Sequence, residues 1–215
     1  MIFKQGIAKK YRRSIEDAFE TILDRGNEKH RRTARLILES EMVIDVHPAR
    51  HVGGASGITG AISRSRLNDR IADERLGLLD ALGEIFITIA EETIDTGFQR
   101  GCEGTFAHEN QHALDFAQTI ESFSNADVNP LSIFNPSLYE MEWEAHLRAG
   151  EYMLQIGKDE YLEEGLALMI LGRDAEGRCF VDREGIRRRL KESYNMEAGG
   201  NVGGSASEML GLRQR

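Results

Sequence analysis

Two histidines four residues apart, with a glutamate directly after the first, stand at His108, Glu109 and His112 in the run Thr105-Phe106-Ala107-His108-Glu109-Asn110-Gln111-His112. On a helix, residues four apart lie one above the other, so both imidazoles can face one metal ion. Zinc held by two imidazoles with an open position lowers the pKa of a bound water towards neutrality, and a neighbouring carboxylate can take that water's proton. His108 and His112 are therefore expected as metal ligands and Glu109 as general base. The expected chemistry is metal-assisted hydrolysis of an amide bond, and the expected cofactor is Zn2+.

A site of this kind needs a third protein ligand. Downstream runs Asn135-Pro136-Ser137-Leu138-Tyr139-Glu140-Met141-Glu142-Trp143-Glu144-Ala145-His146. Asn135 as N-cap with Pro136 at the first helical position predicts a helix start. At about 100° per residue, Leu138, Ala145, Ala149, Met153 and Ile156 all lie within roughly 60° of Glu142. Glu140 and Glu144 lie about 160° away, on the solvent side. A carboxylate on an inward stripe is costly unless it is paired or binds a metal. Glu142 is thus the expected third ligand, and a buried salt bridge to an arginine is the ordinary alternative.

The elements around the motif must present it. Ile85, Ile87 and Ile89 alternate with other residues, as a strand requires. Gly101 and Gly104 break the chain, and Thr105 is expected to cap the motif helix. Ala113, Phe116, Ala117 and Ile120 then form its apolar stripe. Earlier, helices are predicted after Ser14 and around Ala34, Ile37 and Leu38, with strands at residues 42–46 and 58–62. Residues 76–82 fit helix or strand. The glycines of 53–57 fit a loop or flap, because no phosphate-cradling fingerprint accompanies them. Residues 161–171 read as an apolar helix, 178–181 as a short strand and 183–194 as a charged helix.

The order of H-E-x-x-H, a loop, and a helix carrying Glu142-Trp143-Glu144-Ala145 resembles the gluzincin branch of zinc metallopeptidases, over roughly residues 83–157. The resemblance implies a zincin-like fold, with His108, His112 and Glu142 as ligands and Glu109 as base, and with the last strand of a small sheet at the cleft edge, for which residues 84–90 are the candidate. It also implies a polypeptide substrate. Many gluzincins carry an aspartate one turn after the ligand glutamate; here that place is His146. His146 is expected either to hydrogen-bond the ligand carboxylate or to face the substrate oxyanion, with a role-free histidine as the alternative. Asp115 can take the place of the missing aspartate behind a ligand histidine. Tyr139 and Tyr152 are further candidate oxyanion donors, and Cys102, six residues before His108, is a weaker ligand candidate.

The expected architecture is α+β: a small mixed sheet packed on the H-E-x-x-H helix and followed by a mainly helical C-terminal part. One domain covers residues 1–197, with N-terminal helices in 1–40, sheet and loops in 41–104, and active-site and C-terminal helices in 105–197. Residues 198–215, rich in glycine, read as a flexible tail. The formal net charge of −9 disfavours a nucleic-acid or anionic-membrane partner. The basic runs Lys9-Lys10-Tyr11-Arg12-Arg13 and Arg187-Arg188-Arg189 read as solvated helix faces. No signal peptide or membrane-spanning stretch is evident, so the expected location is cytoplasmic, although a specialised secretion route would leave no such mark. Two cysteines fit reduced thiols. Two further readings share these residues: a zinc hydrolase of a small-molecule or modified amide, and a non-enzymatic interaction module in which the helix pair is structural. Oligomeric state is not encoded in any of these patterns.

Overall fold

The alternating isoleucines do form a strand, Ile85–Ala90, but both of its faces are buried. In the computed structural model, which describes residues 1–96, 102–127, 130–200 and 202–212, this strand lies inside the sheet. In chain order the elements begin with β1 (Ile2–Phe3), α1 (Lys9–Arg25), α2 (Glu28–Glu39), β2 (Val43–His47), β3 (Gly57–Ala61), α3 (Arg64–Asp73), α4 (Leu78–Leu82) and β4 (Ile85–Ala90). They continue with α5 (Glu91–Asp95), α6 (Glu103–Ser124), α7 (Leu138–Ile156), α8 (Asp159–Ala167), β5 (Leu171–Arg173), β6 (Cys179–Val181), α9 (Arg183–Tyr194) and α10 (Ala206–Leu210). The fold is mixed α+β with a small mixed sheet of order β1-β2-β4-β3. The two pairings from β1 to β4 are parallel, and β3 runs antiparallel to β4.

The sheet edge therefore differs from the expected one. Ile85, Ile87 and Ile89 are fully buried and Thr88 and Ala90 nearly so, which is the pattern of a strand covered on both sides. The cleft edge is β3. Glu84, which the alternation included in the strand, stops just short of it. Its carboxylate is fully buried and accepts hydrogen bonds from Arg66 and Arg70 of α3, both at 2.7 Å.

Helix α6 is the axis of the molecule. It packs against α1, α2, α4, α7 and α10 and against β3 and β4. That is why it is buried nearly all round, well beyond the single stripe Ala113, Phe116, Ala117 and Ile120. It begins two residues before Thr105, which lies in its first turn. Cys102 in the left-handed conformation precedes it, and Glu103 takes the hydroxyl hydrogen bonds of Tyr152 and Tyr161, each at 2.7 Å. A carboxylate in a first helical turn also suits the helix dipole. Gly101 lies outside the described residues.

Helix α7 starts at Leu138, two residues later than the Asn135-Pro136 signal suggested. Ser137 and Glu140 form a reciprocal capping box, which satisfies two otherwise orphaned N–H groups. Gly157 ends the helix in the left-handed conformation. Asn135 is used elsewhere: its side-chain oxygen accepts the N–H of Ser207 at 2.9 Å. The C-terminal segment, expected to be a free tail, is docked here. Leu138 N–H bonds Gly204 O, Ala206 N–H bonds Pro136 O, and Ala206 and Leu210 are buried in the core. Other differences are smaller. Residues 78–82 are helical, the helix after α7 ends at Ala167 before β5, and β1 adds a strand that no alternation announced. The short strand at 179–181 and the helix at 183–194 stand where expected.

The docked segment makes a quantitative demand. Leu210→Ala should cost about 2–4 kcal/mol of unfolding free energy, as for other buried leucines. Urea denaturation measures it, and a change under about 0.5 kcal/mol, the size of an ordinary surface substitution, would mean that α10 does not contribute to the core.

Candidate metal centre

Two helices each contribute an i, i+4 pair to one spot. Helix α6 supplies His108 and His112, and α7 supplies Glu142 and His146. The Nε2 atoms of His108 and His112 lie 3.0 Å apart. Each is 3.5 Å from an oxygen of Glu142, His108 from Oε2 and His112 from Oε1. Donor atoms bound at about 2.0–2.1 Å to a tetrahedral zinc would stand roughly 3.3–3.4 Å from one another. The three separations bracket that value. His146 joins more loosely: its Nε2 is 3.9 Å from Glu142 Oε2, and with His108 and Glu142 it forms a group whose donor atoms all lie within 4.8 Å of one another.

The donor set also fits a cation by what it leaves unsatisfied. Glu142 Oε2, His112 Nδ1 and both ring nitrogens of His146 are buried and make no hydrogen bond among the described residues. Buried polar atoms normally find partners. Arg148 of the same helix pairs with Glu144 and Glu151. Glu140 serves the helix cap.

Electrostatics follow from this packing. Burial works to raise the Glu142 carboxyl, but the facing His108 and His112 imidazoles outweigh it and hold it well below the usual carboxylate range. Burial works to lower the His112 imidazole, and the Glu142 carboxylate reverses that and raises it to about 9. His146 is pushed down to about 2, first by burial and then by the neighbouring His108 ring. It is a neutral ring.

Glu109 is oriented from the sheet. Its Oε2 accepts the hydroxyl of Thr59 on β3 at 2.6 Å. The approach is close because residue 57 is glycine: a Cβ there would stand 2.9 Å from Glu109 Cγ and 2.9 Å from Thr105 Cγ2. Neither Thr59 nor Gly57 carries a sequence signal for this role, since the strand pairing that brings them to α6 is not local.

A cleft of about 490 Å3 opens over these residues. Its walls are the 54–59 segment on one side, and Phe116, Met141 and Met153 with Arg189 and Tyr194 of α9 on the other. Several sequence candidates fall outside it. Tyr139 stacks on Trp143, and Tyr152 donates to Glu103. The tyrosine at the cleft is Tyr194, whose ring stands edge-on to His146 at 5.8 Å. Cys102 is buried in the core, where burial pushes its thiol up, so it is a neutral packing residue. Asp115 hydrogen-bonds neither His108 nor His112. It accepts from Gln111 Nε2 at 2.8 Å, and burial raises its carboxyl to about 7. His146 makes no hydrogen bond to the Glu142 carboxylate, which removes one of its two expected roles.

Comparison with known protein families, with curated proteins and with solved structures finds no match for this chain. Among the described residues no helix is long and apolar enough to cross a membrane.

Two measurements follow. Thr59→Val leaves the buried Glu109 carboxylate without its donor and should cost about 1.5–3 kcal/mol of stability, while metal content stays unchanged; an unaltered unfolding midpoint would remove Thr59 from this role. The second concerns protons. His112 has its pKa raised, so its stabilisation of the metal-free fold is complete below its ordinary value of 6.5 and is lost as pH rises through about 9. Zinc added at pH 7 should therefore displace about one proton. Calorimetry in buffers of differing ionisation enthalpy reads it, and zero release would contradict a protonated His112.

Proposed function

We propose that this chain is a zinc-dependent hydrolase of peptide bonds, of gluzincin type, with a zincin-like arrangement of sheet and helices. The observation that carries the reading is the convergence of His108, His112 and Glu142 at separations of 3.0, 3.5 and 3.5 Å, beside a carboxylate held by a separate strand. His108, His112 and Glu142 are the proposed ligands. A zinc ion bound to them would supply Lewis acidity towards a carbonyl oxygen and lower the pKa of a water.

Within that frame each side chain has a task. Glu109 accepts the proton of the attacking water and passes it to the leaving nitrogen. Thr59 fixes which way its carboxylate faces. His146, neutral and with both ring nitrogens unpaired, is placed to meet the substrate oxygen or to approach the ion as a fourth donor. Among the described residues strand β3 pairs with β4 alone in the sheet, and its outer edge is the proposed place for an extended peptide, which would bind by main-chain hydrogen bonds. The 54–59 segment lines the cleft along that edge.

The test separates metal from base. Glu109→Gln should retain zinc, measured by elemental analysis, and lose on the order of 100-fold or more in peptide hydrolysis. Glu142→Ala should lose zinc. Hydrolysis by the Gln variant at the wild-type rate would refute the mechanism. Purified wild type that holds no zinc and is indifferent to chelator would favour an interaction module.

A further inference from the structure

Helix α9 carries four arginines, and one of them differs from the rest. Arg183, Arg187 and Arg188 are exposed, and Arg187 pairs with Glu184 and lies over Trp143. Arg189 follows the core face set by Ile186 and Leu190 and is half-buried at the cleft. Its guanidinium has no acidic partner among the described residues. Nη1 donates to Leu168 O at a long 3.4 Å, and Nε is buried without a hydrogen bond. The ring of Tyr194 lies 5.8 Å from it.

A guanidinium drawn out of water without a counter-ion is unfavourable unless something else compensates it. Leu168, whose carbonyl it meets, is apolar, and so are Ile170 and Met153, which line the same cleft. They offer it no charge, and they make any anion that reaches it bind more strongly than it would in open solvent. Arg189 is also the one Lys or Arg among the cleft-lining residues. The acids there are Glu109 and Glu142, which the proposed chemistry uses as base and ligand. With those two engaged, Arg189 is the charge left over, and it stands beside His146 at the metal centre.

We propose that Arg189 is the specificity-determining residue of the cleft and binds a carboxylate of the substrate, so that the enzyme acts on short peptides bearing an anionic group near the scissile bond. This rests on the peptidase reading given above. The planar fork of a guanidinium matches a carboxylate with two parallel hydrogen bonds. A cleft of about 490 Å3 is of the size that encloses a small ligand, which fits a short peptide segment ending against Arg189. The carboxylate has two sources, a free chain end or an Asp or Glu side chain.

The experiment uses the full chain loaded with zinc and three probes: acetyl-trialanine as the free acid, the same peptide as its C-terminal amide, and an amidated peptide with one internal glutamate. Binding is measured by calorimetry on the Glu109→Gln variant, which holds peptide without turning it over, and hydrolysis on the wild type. The expected result is that at least one carboxylate-bearing probe binds about 10- to 100-fold tighter than the neutral amide, the range for a charge-assisted pair. The free acid identifies the chain end and the internal glutamate identifies the side chain. Arg189→Gln should bring the preference close to one, through KM more than kcat, and Arg189→Lys should restore part of it. Thermal melting of both variants checks folding. Should the Gln variant not fold, the Lys variant and the wild-type comparison still decide.

Equal affinity for charged and neutral probes in the wild type overturns the proposal. So does an equal loss for both in Arg189→Gln, which would assign Arg189 to the transition state or to the fold. Tight carboxylate binding without hydrolysis of any peptide would support the subsite while rejecting the peptidase reading. Hydrolysis with no carboxylate preference would do the reverse.

Discussion

Glu142 is a carboxylate only 14 % exposed, facing His108, His112 and His146, and among the described residues no arginine or lysine is paired to it. Such a charge is tolerated in a protein interior only where positive charge meets it. The contact between α6 and α7 is built around that requirement. The capping box at Ser137 and Glu140 sets where α7 begins, and Gly157 sets where it ends. A shift of one residue along α7 would rotate Glu142 by about 100° away from the imidazoles. The polar residues buried along α6, Glu109, Asn110, Gln111, His112 and Asp115 among them, are unusual for a central helix. They point in several directions, Glu109 and His112 towards the cleft and Asn110 and Gln111 away from it, and all are buried because other elements enclose α6.

The same constraint reaches into the sheet. Glu109 adjoins the imidazoles, and a second carboxylate at the site needs its own donor. Thr59 provides it, and the absence of a side chain at Gly57 lets β3 come close enough. Because β3 is antiparallel to β4 and lies outermost, its far edge borders the cleft. One strand thus orients the proposed base and flanks the space where a substrate would lie. Helix α9 and the docked C-terminal segment finish the opposite side. They bring Arg189, Tyr194 and Met209 to the wall, while the bonds from residues 204–207 steady the start of α7.

Much of this was legible from local pattern. The spacing of His108 and His112 places both on one helix face wherever the helix sits. The angular position of Glu142 relative to Leu138, Ala145 and Met153 turns it inward, and the structure brings its carboxylate to 3.5 Å from both imidazoles. The alternation at Ile85, Ile87 and Ile89 gives a strand, and residues 183–194 form a helix from the pattern alone. Start signals misled where two competed. Asn135-Pro136 looked like a cap, yet Ser137 with Glu140 satisfies more N–H groups, and Asn135 was free to bind Ser207. Glycine content suggested a loose tail, because burial of Ala206 and Leu210 depends on a surface that α6 and α7 first have to create.

What the sequence by itself determined is the chemistry available on each helix: two imidazoles and a carboxylate at fixed spacing on one, an inward acid on the other. Those features follow from the 3.6-residue period and need no knowledge of neighbours. Only the tertiary structure decided which strand became the edge, which hydroxyl meets Glu109, and which arginine and tyrosine line the cleft. Each of these depends on contacts between residues far apart in the chain: 50 positions separate Thr59 from Glu109. No local periodicity records such a pairing, since the same residues on a differently paired sheet would face elsewhere.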